Sequence, residues 1–177
     1  MILADNMLRK MDLVHPKNDD RINPASINLT LGNTFLVPVV TDNRRVKLGG
    51  EVEYNRHEIC DSHGFCLEPG EFALATTKEY VNLPANLAAF VQGRSSIGRI
   101  GLTTQNAGFV DPGFHGHITL ELVNESPNTI VLTPGYPVAQ LVFFETYPVS
   151  KPYCGKYNDQ VEATGSRMYM DRKQGDV

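Results

Sequence analysis

Gly116-His117-Ile118-Thr119-Leu120-Glu121-Leu122-Val123 decides the fold class. Ile118, Leu120 and Leu122 share one face of an extended chain, while His117, Thr119, Glu121 and Val123 take the other. Period two over eight residues predicts a half-buried β-strand with its apolar face on a core. The same period appears at Ile27, Leu29 and Leu31, alternating with Asn28 and Thr30, and Gly32-Asn33 reads as the turn that follows. Downstream, Thr129 to Leu132, Pro134-Gly135 and Val138 to Phe144 predict strand, turn and strand. Upstream, Glu68-Pro69-Gly70 leads into a buried strand at Phe72 to Ala75, and Thr41 to Gly50 is a polar excursion. Asp5 is placed to cap a short N-terminal helix in which Met7, Leu8 and Met11 share a face. This spacing of strands and turns predicts a mostly β sandwich, jelly roll or barrel. After Pro148 the composition turns polar, so residues from about 150 to 177 are expected to form a mobile arm on a single domain spanning 1–177.

The chain has 177 residues, 16 of them Lys or Arg and 20 Asp or Glu, for a net charge of −4. A domain of that length buries roughly 70% of its unfolded surface. The acidic balance argues against a protein that lives on nucleic-acid phosphates. Apolar runs such as Leu141-Val142-Phe143-Phe144 are too short to span a bilayer, and Met1-Ile2-Leu3-Ala4-Asp5 lacks a signal-peptide start. Three cysteines cannot all pair within one chain. A soluble protein of the reducing cytoplasm, without membrane or nucleic-acid partners, is expected.

Five features of the sequence are candidates for chemistry. Gly93-Arg94-Ser95-Ser96-Ile97-Gly98-Arg99 sets two guanidinium groups and two hydroxyls beside glycines, a composition that suits phosphate oxygens. An N-capped surface turn with solvated arginines accounts for it as well, since no Walker or Rossmann pattern is present. Asp111-Pro112-Gly113-Phe114 places a carboxylate before a tight turn, fit either to orient a water or to close an Asx-type turn. Glu121 sits mid-strand, where β-propensity disfavours Glu, so its face is either solvent or a sheltered pocket that raises its pKa. Tyr153 with Lys156-Tyr157-Asn158-Asp159-Gln160 offers a Lys and aromatics that either close over an anion or remain a solvated terminus. The His57, Cys60, His63, Cys66 run has residue types for zinc but not the two-armed spacing of zinc sites, and an ordinary polar loop is expected there. The zinc deaminase pattern, H-x-E followed by P-C-x-x-C, is absent.

In order and spacing these pieces resemble the dCTP deaminase branch of the dCTP deaminase/trimeric dUTPase superfamily. The resemblance is carried by Pro24 to Leu29, by Gly93 to Leu102, by Ala107-Gly108-Phe109-Val110-Asp111-Pro112-Gly113-Phe114 running on to Leu122, and by Gly135 to Leu141 and Lys156-Tyr157…Gln160. It covers most of the chain and favours the chemical reading over the plainer one at Ser95, Arg99, Asp111 and Glu121. It implies a mostly β, distorted jelly-roll, dUTPase-like subunit that forms a homotrimer with active sites shared between subunits. It also implies Mg²⁺ carried on the nucleotide triphosphate, with no zinc and no protein metal site.

By that resemblance Glu121 is the general base that takes a proton from the water attacking C4 of cytosine and then helps ammonia leave. Ser95, Arg99 and the Ala107 carbonyl match positions that hold this water and steady the developing charge. Arg94, Ser95 and Ser96 match phosphate ligands, Asn106 lies in the substrate-binding loop, and Phe109 and Thr119 match backbone contacts to the base. Tyr153, Lys156 and Gln160 match the closing arm. Asp111 matches the dUTPase carboxylate that orients a water towards the α-phosphate, and Gln140 fits the dUTPase pattern too. Ala107-Gly108-Phe109 is similar to family members that perform both steps, whereas strictly monofunctional deaminases tend to carry His at the position of Gly108.

The expected activity is therefore a bifunctional, zinc-independent conversion of dCTP to dUMP, diphosphate and ammonia, supplying dUMP for thymidylate synthesis, with dTTP a candidate inhibitor. A deaminase releasing dUTP, a dUTPase alone, a non-catalytic nucleotide-binding module and a ligand-free β-sandwich are the alternatives. Two departures from the family pattern stand out: the loop through Thr103-Thr104-Gln105-Asn106-Ala107, where the family usually reads T-H-S-T-A, is one residue shorter and lacks the His, which bears on rate and dTTP control, and Asn28 replaces the usual Asp, with no consequence assigned.

Overall fold

The computed structural model describes residues 1–42, 44–60, 63–104 and 108–171. Among them run twelve strands: β1 (Val14–His15), β2 (Ile22–Asn23), β3 (Ser26–Pro38), β4 (Tyr54–Glu58), β5 (Phe65–Leu67), β6 (Phe72–Asn82), β7 (Leu87–Gly93), β8 (Leu102–Thr104), β9 (Phe109–Val110), β10 (His115–Asn124), β11 (Ile130–Leu132) and β12 (Pro137–Glu145). Two one-turn helices, α1 (Asp5–Leu8) and α2 (Ser95–Gly98), accompany them. The main sheet is ordered β8-β10-β6-β3-β12-β7-β9, with β1 on β6 and β2 and β4 on β3, while β5 and β11 pair separately. The result is the expected mostly β, curled, jelly-roll-like architecture. Among the described residues no helix is long and apolar enough to cross a membrane.

β10 obeys its period. Ile118, Leu120 and Leu122 are buried, and His117, Thr119, Glu121 and Val123 form a half-buried opposite face. β6 and β12 form where short strands were expected, and β6 runs on to Asn82.

The turn expected at Gly32-Asn33 is not a turn. β3 runs straight through it, and every residue from Ser26 to Gly32 is buried. Both faces are covered because the strand changes partners there. Ile27 to Thr30 pair with β12, Leu31 to Leu36 pair with β6, and the register shifts between Leu31 and Phe35. A bulge thus carries the strand from one side of the curled sheet to the other.

Covering the polar alternates of β3 requires partners for them. Ser26 Oγ donates to Gln140 Oε1 at 2.8 Å, and Asn28 Oδ1 accepts from Asn23 Nδ2 at 3.1 Å. Thr30 donates to the Glu79 carboxylate through its backbone N–H at 2.8 Å and its hydroxyl at 2.6 Å, and Arg21 pairs with the same carboxylate. Glu79 is almost fully buried, so these donors replace the water it gives up.

Gly32 is required at the crossing because a Cβ there would stand 2.3 Å from Thr76 Cγ2. Gly32→Ala is expected to cost about 1–3 kcal/mol of stability, read as a lower Tm by circular dichroism. Thr76→Ser removes the obstructing methyl while keeping a hydroxyl to donate to the Thr77 carbonyl, and should restore the Tm of the Gly32→Ala chain. An unchanged melting curve for Gly32→Ala alone would show slack at the crossing.

At the N-terminus Asp5 does not cap α1. Ala4 holds the cap position, and the Asp5 N–H is taken by the Pro24 carbonyl at 2.9 Å, which draws Asp5 into the first turn. Its carboxylate still suits the positive end of that turn. Leu8 is buried and Met11 packs on the core, whereas Met7 is exposed.

None of the three cysteines is in a disulfide. Cys60 Sγ meets His63 Nδ1 at 2.7 Å, and His57 lies edge-on to Phe65 with centroids 5.5 Å apart. Among the described residues no three His, Cys, Asp or Glu side chains converge.

Beyond Pro148 the chain returns to the body. Tyr153 N donates to the Pro112 carbonyl at 2.8 Å, Asp159 N to the His115 carbonyl at 2.8 Å, and His117 N to the Gln160 carbonyl at 2.8 Å. The segment expected to be an arm lies along the N-terminal half of β10.

Candidate active site

β8 covers β10 only from Leu122 to Asn124, and the 159–160 segment covers it only around His115 and His117. Between these partners the edge of β10 opens onto a cleft of about 590 Å³. Glu121 and Thr119 line it from β10, Phe109 and Asp111 from β9 and the turn after it, and Tyr153 and Gln160 from the C-terminal segment. Six of the residues singled out from the sequence therefore meet at one place.

Glu121 is the carboxyl of the cleft lining that burial perturbs. It faces Leu74 across the β10–β6 ladder, and Phe72, Leu74 and Val91 contribute apolar walls. Burial pushes its carboxyl up from the ordinary carboxylate range, since desolvation disfavours the charged form. A carboxylate so placed is a stronger proton acceptor than one in water. Asp111 is exposed at the rim, and its carbonyl accepts from Phe114 N at 3.1 Å, closing the Pro112-Gly113 turn. Asp111 thus closes the turn through its backbone carbonyl, not through the side-chain bond of an Asx-type turn, and it stands on the cleft lining.

The floor is tight at Gly108, where a Cβ would stand 2.6 Å from the Val91 carbonyl oxygen. Val91 N donates to the Gly108 carbonyl at 2.8 Å, which holds Gly108 flush on β7. A histidine at this position would need β7 or the loop to move.

Arg94, Ser95, Ser96 and Arg99 do not join the cleft within one chain. They sit on and around α2 after β7, where Arg94 Nη1 donates to the Pro137 carbonyl at 2.9 Å and Arg99 Nε donates to Ser95 Oγ at 3.2 Å. Ser95, Ser96 and Arg99 are exposed. Gln140 is occupied by Ser26 and lies off the cleft lining. Lys156 pairs with Asp171 and stands 5.4 Å from the Tyr157 ring centroid, also off the lining. Asn106 and Ala107 lie outside the described residues.

Several lining residues were not found by sequence reasoning. Tyr54 comes from β4, and its hydroxyl accepts from Ser166 N at 3.2 Å beside Gly165. Tyr157 also lines the cleft, and its hydroxyl accepts from Arg167 N at 3.0 Å. Tyr157 stands inside a segment already under suspicion, but nothing near Tyr54 in sequence announces its role.

The family described as dCTP deaminase-like matches residues 2–146. A Sulfurihydrogenibium protein named "dCTP deaminase, dUMP-forming" is 44% identical over 180 residues, covering 97% of this chain and 99% of its own. A protein of the same name from Persephonella marina is 41% identical over 182 residues, with the same coverage of 97% and 99%. Among solved structures, 2'-deoxycytidine 5'-triphosphate deaminase from Agrobacterium tumefaciens superposes with a TM-score of 0.62 at 27% identity, covering 80% of this chain and 48% of that one. This chain spans about half the length of that structure's chain. Relatives so similar over nearly the whole length leave one conclusion: the chain belongs to the dCTP deaminase-like family.

Proposed function

We propose that the protein converts dCTP to dUMP in two hydrolytic steps at this cleft. The observation that carries the reading is Glu121, a half-buried carboxyl raised by desolvation and opening on a nucleotide-sized cavity. In the first step Glu121 takes a proton from a water that adds to C4 of cytosine, then returns it to the exocyclic nitrogen as ammonia leaves, giving dUTP. In the second, a water oriented by Asp111 attacks the α-phosphorus and displaces diphosphate, giving dUMP. Two waters are consumed, and one ammonia and one diphosphate released. The names of the close relatives support both steps, as does Gly108, seated where no side chain fits.

The triphosphate enters as its Mg²⁺ complex, with the ion's oxygen ligands supplied by the phosphates, and deamination proceeds without zinc. Arg94, Ser95, Ser96 and Arg99 act in the cleft of a neighbouring copy, within a homotrimer. Two features support this arrangement. These residues stand off their own cleft, and Phe90 and Phe109 are exposed in edge-to-face contact at 5.2 Å, an apolar surface suited to a second copy. The enzyme works in the cytoplasm, where its dUMP feeds thymidylate synthesis and dTTP restrains it.

Incubation with dCTP and Mg²⁺ followed by nucleotide separation tests the reading. Accumulation of dUMP with one ammonia per turnover is expected. Accumulation of dUTP would reduce the protein to a deaminase. Unchanged dCTP with hydrolysed dUTP would make it a dUTPase, and dCTP bound but unchanged a nucleotide-binding module.

A further inference from the structure

We infer that His115 is a positioning residue, clamping the Asn158–Gln160 segment onto β10 so that Tyr153 and Gln160 stand as a wall of the cleft. The inference rests on the proposed function for what that wall does, and on geometry alone for the clamp. His115 lies at the first position of β10, outside the cleft lining, and no feature of the reaction calls for it.

The clamp is a closed set of hydrogen bonds whose directions fix one another. His115 N–H donates to Asn158 Oδ1 at 3.0 Å, and Asn158 Nδ2 donates to the Tyr153 carbonyl at 3.3 Å. A backbone N–H can only donate and a carbonyl can only accept, so both contacts set the carboxamide in the same orientation. The Asn158 Nδ2 that lies 3.2 Å from His115 Nε2 is therefore the donor, and Nε2 the acceptor. That places the ring proton on Nδ1, which sits 2.8 Å from Asp159 Oδ1 and 3.3 Å from the Tyr80 hydroxyl on β6. One imidazole thus holds two successive residues of the segment, through both of its nitrogens.

The surrounding backbone shows what the clamp secures. Asp159 adopts φ +58, a left-handed conformation uncommon outside glycine, with Asp among the few residue types that accept it. Asp159 N donates to the His115 carbonyl and His117 N to the Gln160 carbonyl, each at 2.8 Å, so the segment docks like a short added strand. Gly116, at φ +146, permits that approach, because a Cβ there would stand 2.9 Å from Gln160 N. One residue beyond the clamp, the buried Gln160 accepts from Thr119 Oγ1 at 3.1 Å inside the cleft. His115 therefore sets the position of Gln160 and Tyr153 without touching whatever the cleft holds.

Steady-state kinetics with dCTP, together with tryptic digestion, test the clamp in His115→Ala, Asn158→Ala and the double variant. Each single change is expected to raise KM about tenfold, the size of one lost hydrogen-bonded pair, with kcat within about twofold and Tm nearly unchanged. The double variant should cost no more than either single one, because the two residues form one device. Trypsin should cut after Lys156 and Arg167 about tenfold faster in His115→Ala than in wild type, with no nucleotide present. Unchanged KM, additive losses in the double variant, or equal cleavage rates would overturn the clamp. If the wild type turns over no dCTP, the proposed function fails, and the cleavage rates still decide the clamp.

Discussion

Glu121→Gln is expected to lower the deamination rate by about 10²–10⁴-fold, the usual contribution of a positioned general base. Affinity for dCTP should change by less than about threefold, since the substitution keeps the shape of the side chain and removes only its capacity to accept a proton. Hydrolysis of supplied dUTP should survive, because the proposal assigns that step to Asp111. A variant that deaminates normally would sink the catalytic assignment, and one that loses both steps together would show that Glu121 organises the cleft as a whole.

Two pH effects follow from the raised Glu121 carboxyl. Deamination needs the carboxylate, so kcat/KM should fall on the acid side at a pH above the ordinary glutamate value of about 4.3. For stability the sign is reversed. Between the ordinary value and the raised one, the folded chain keeps a proton that the unfolded chain has lost, so stability falls as pH rises across that window. Glu121→Gln removes the cost of a buried charge and should melt above wild type at neutral pH, the gap closing once the pH drops below the window. The same desolvation that would prepare the proposed base thus weakens the fold at neutral pH.

The second large effect concerns subunit mixing. Glu121→Gln and Arg99→Ala are each expected to be nearly inactive alone, yet a co-expressed equal mixture should recover deamination. If Glu121 of one copy works with Arg99 of the next, random assembly into closed rings leaves about one quarter of the sites with both residues intact. Recovery to about a quarter of wild-type activity is therefore the expected result, measured as ammonia release per site. No recovery would place both residues in one chain's site and remove the reason for sharing. The placement of α2 away from its own cleft motivates the experiment.

How much was legible in the sequence depended on how many neighbours a segment has. β10 has one face in the core and one on the cleft, so its alternation survives in the residue types, and Glu121 stands out against it. β3 is covered on both faces at a bulge, and its Asn28 and Thr30 are satisfied by Asn23 and Glu79, residues that no local pattern links to them. Gly32 was read as a turn because glycine marks both turns and close approaches, and only the position of Thr76 distinguishes the two. Asp111, Phe109, Thr119, Tyr153 and Gln160 line one cleft because β9, the turn after it, β10 and the C-terminal segment docked on β10 meet there. Nothing in the sequence marked Tyr54, and His115, legible only as half of a His115-x-His117 pair without a third ligand, showed nothing of its contacts, because each meets a segment more than forty residues away. The residues around α2 were legible as a group, but they stand off the cleft lining of their own chain.

Seven tyrosines and no tryptophan make up the chain's ultraviolet chromophores beyond phenylalanine, and three of those tyrosines, Tyr54, Tyr153 and Tyr157, stand on the cleft wall. Three of the seven tyrosine emitters therefore border one cleft, with no brighter indole elsewhere to mask a change there. Occupancy becomes an optical quantity, open to titration on unlabelled protein.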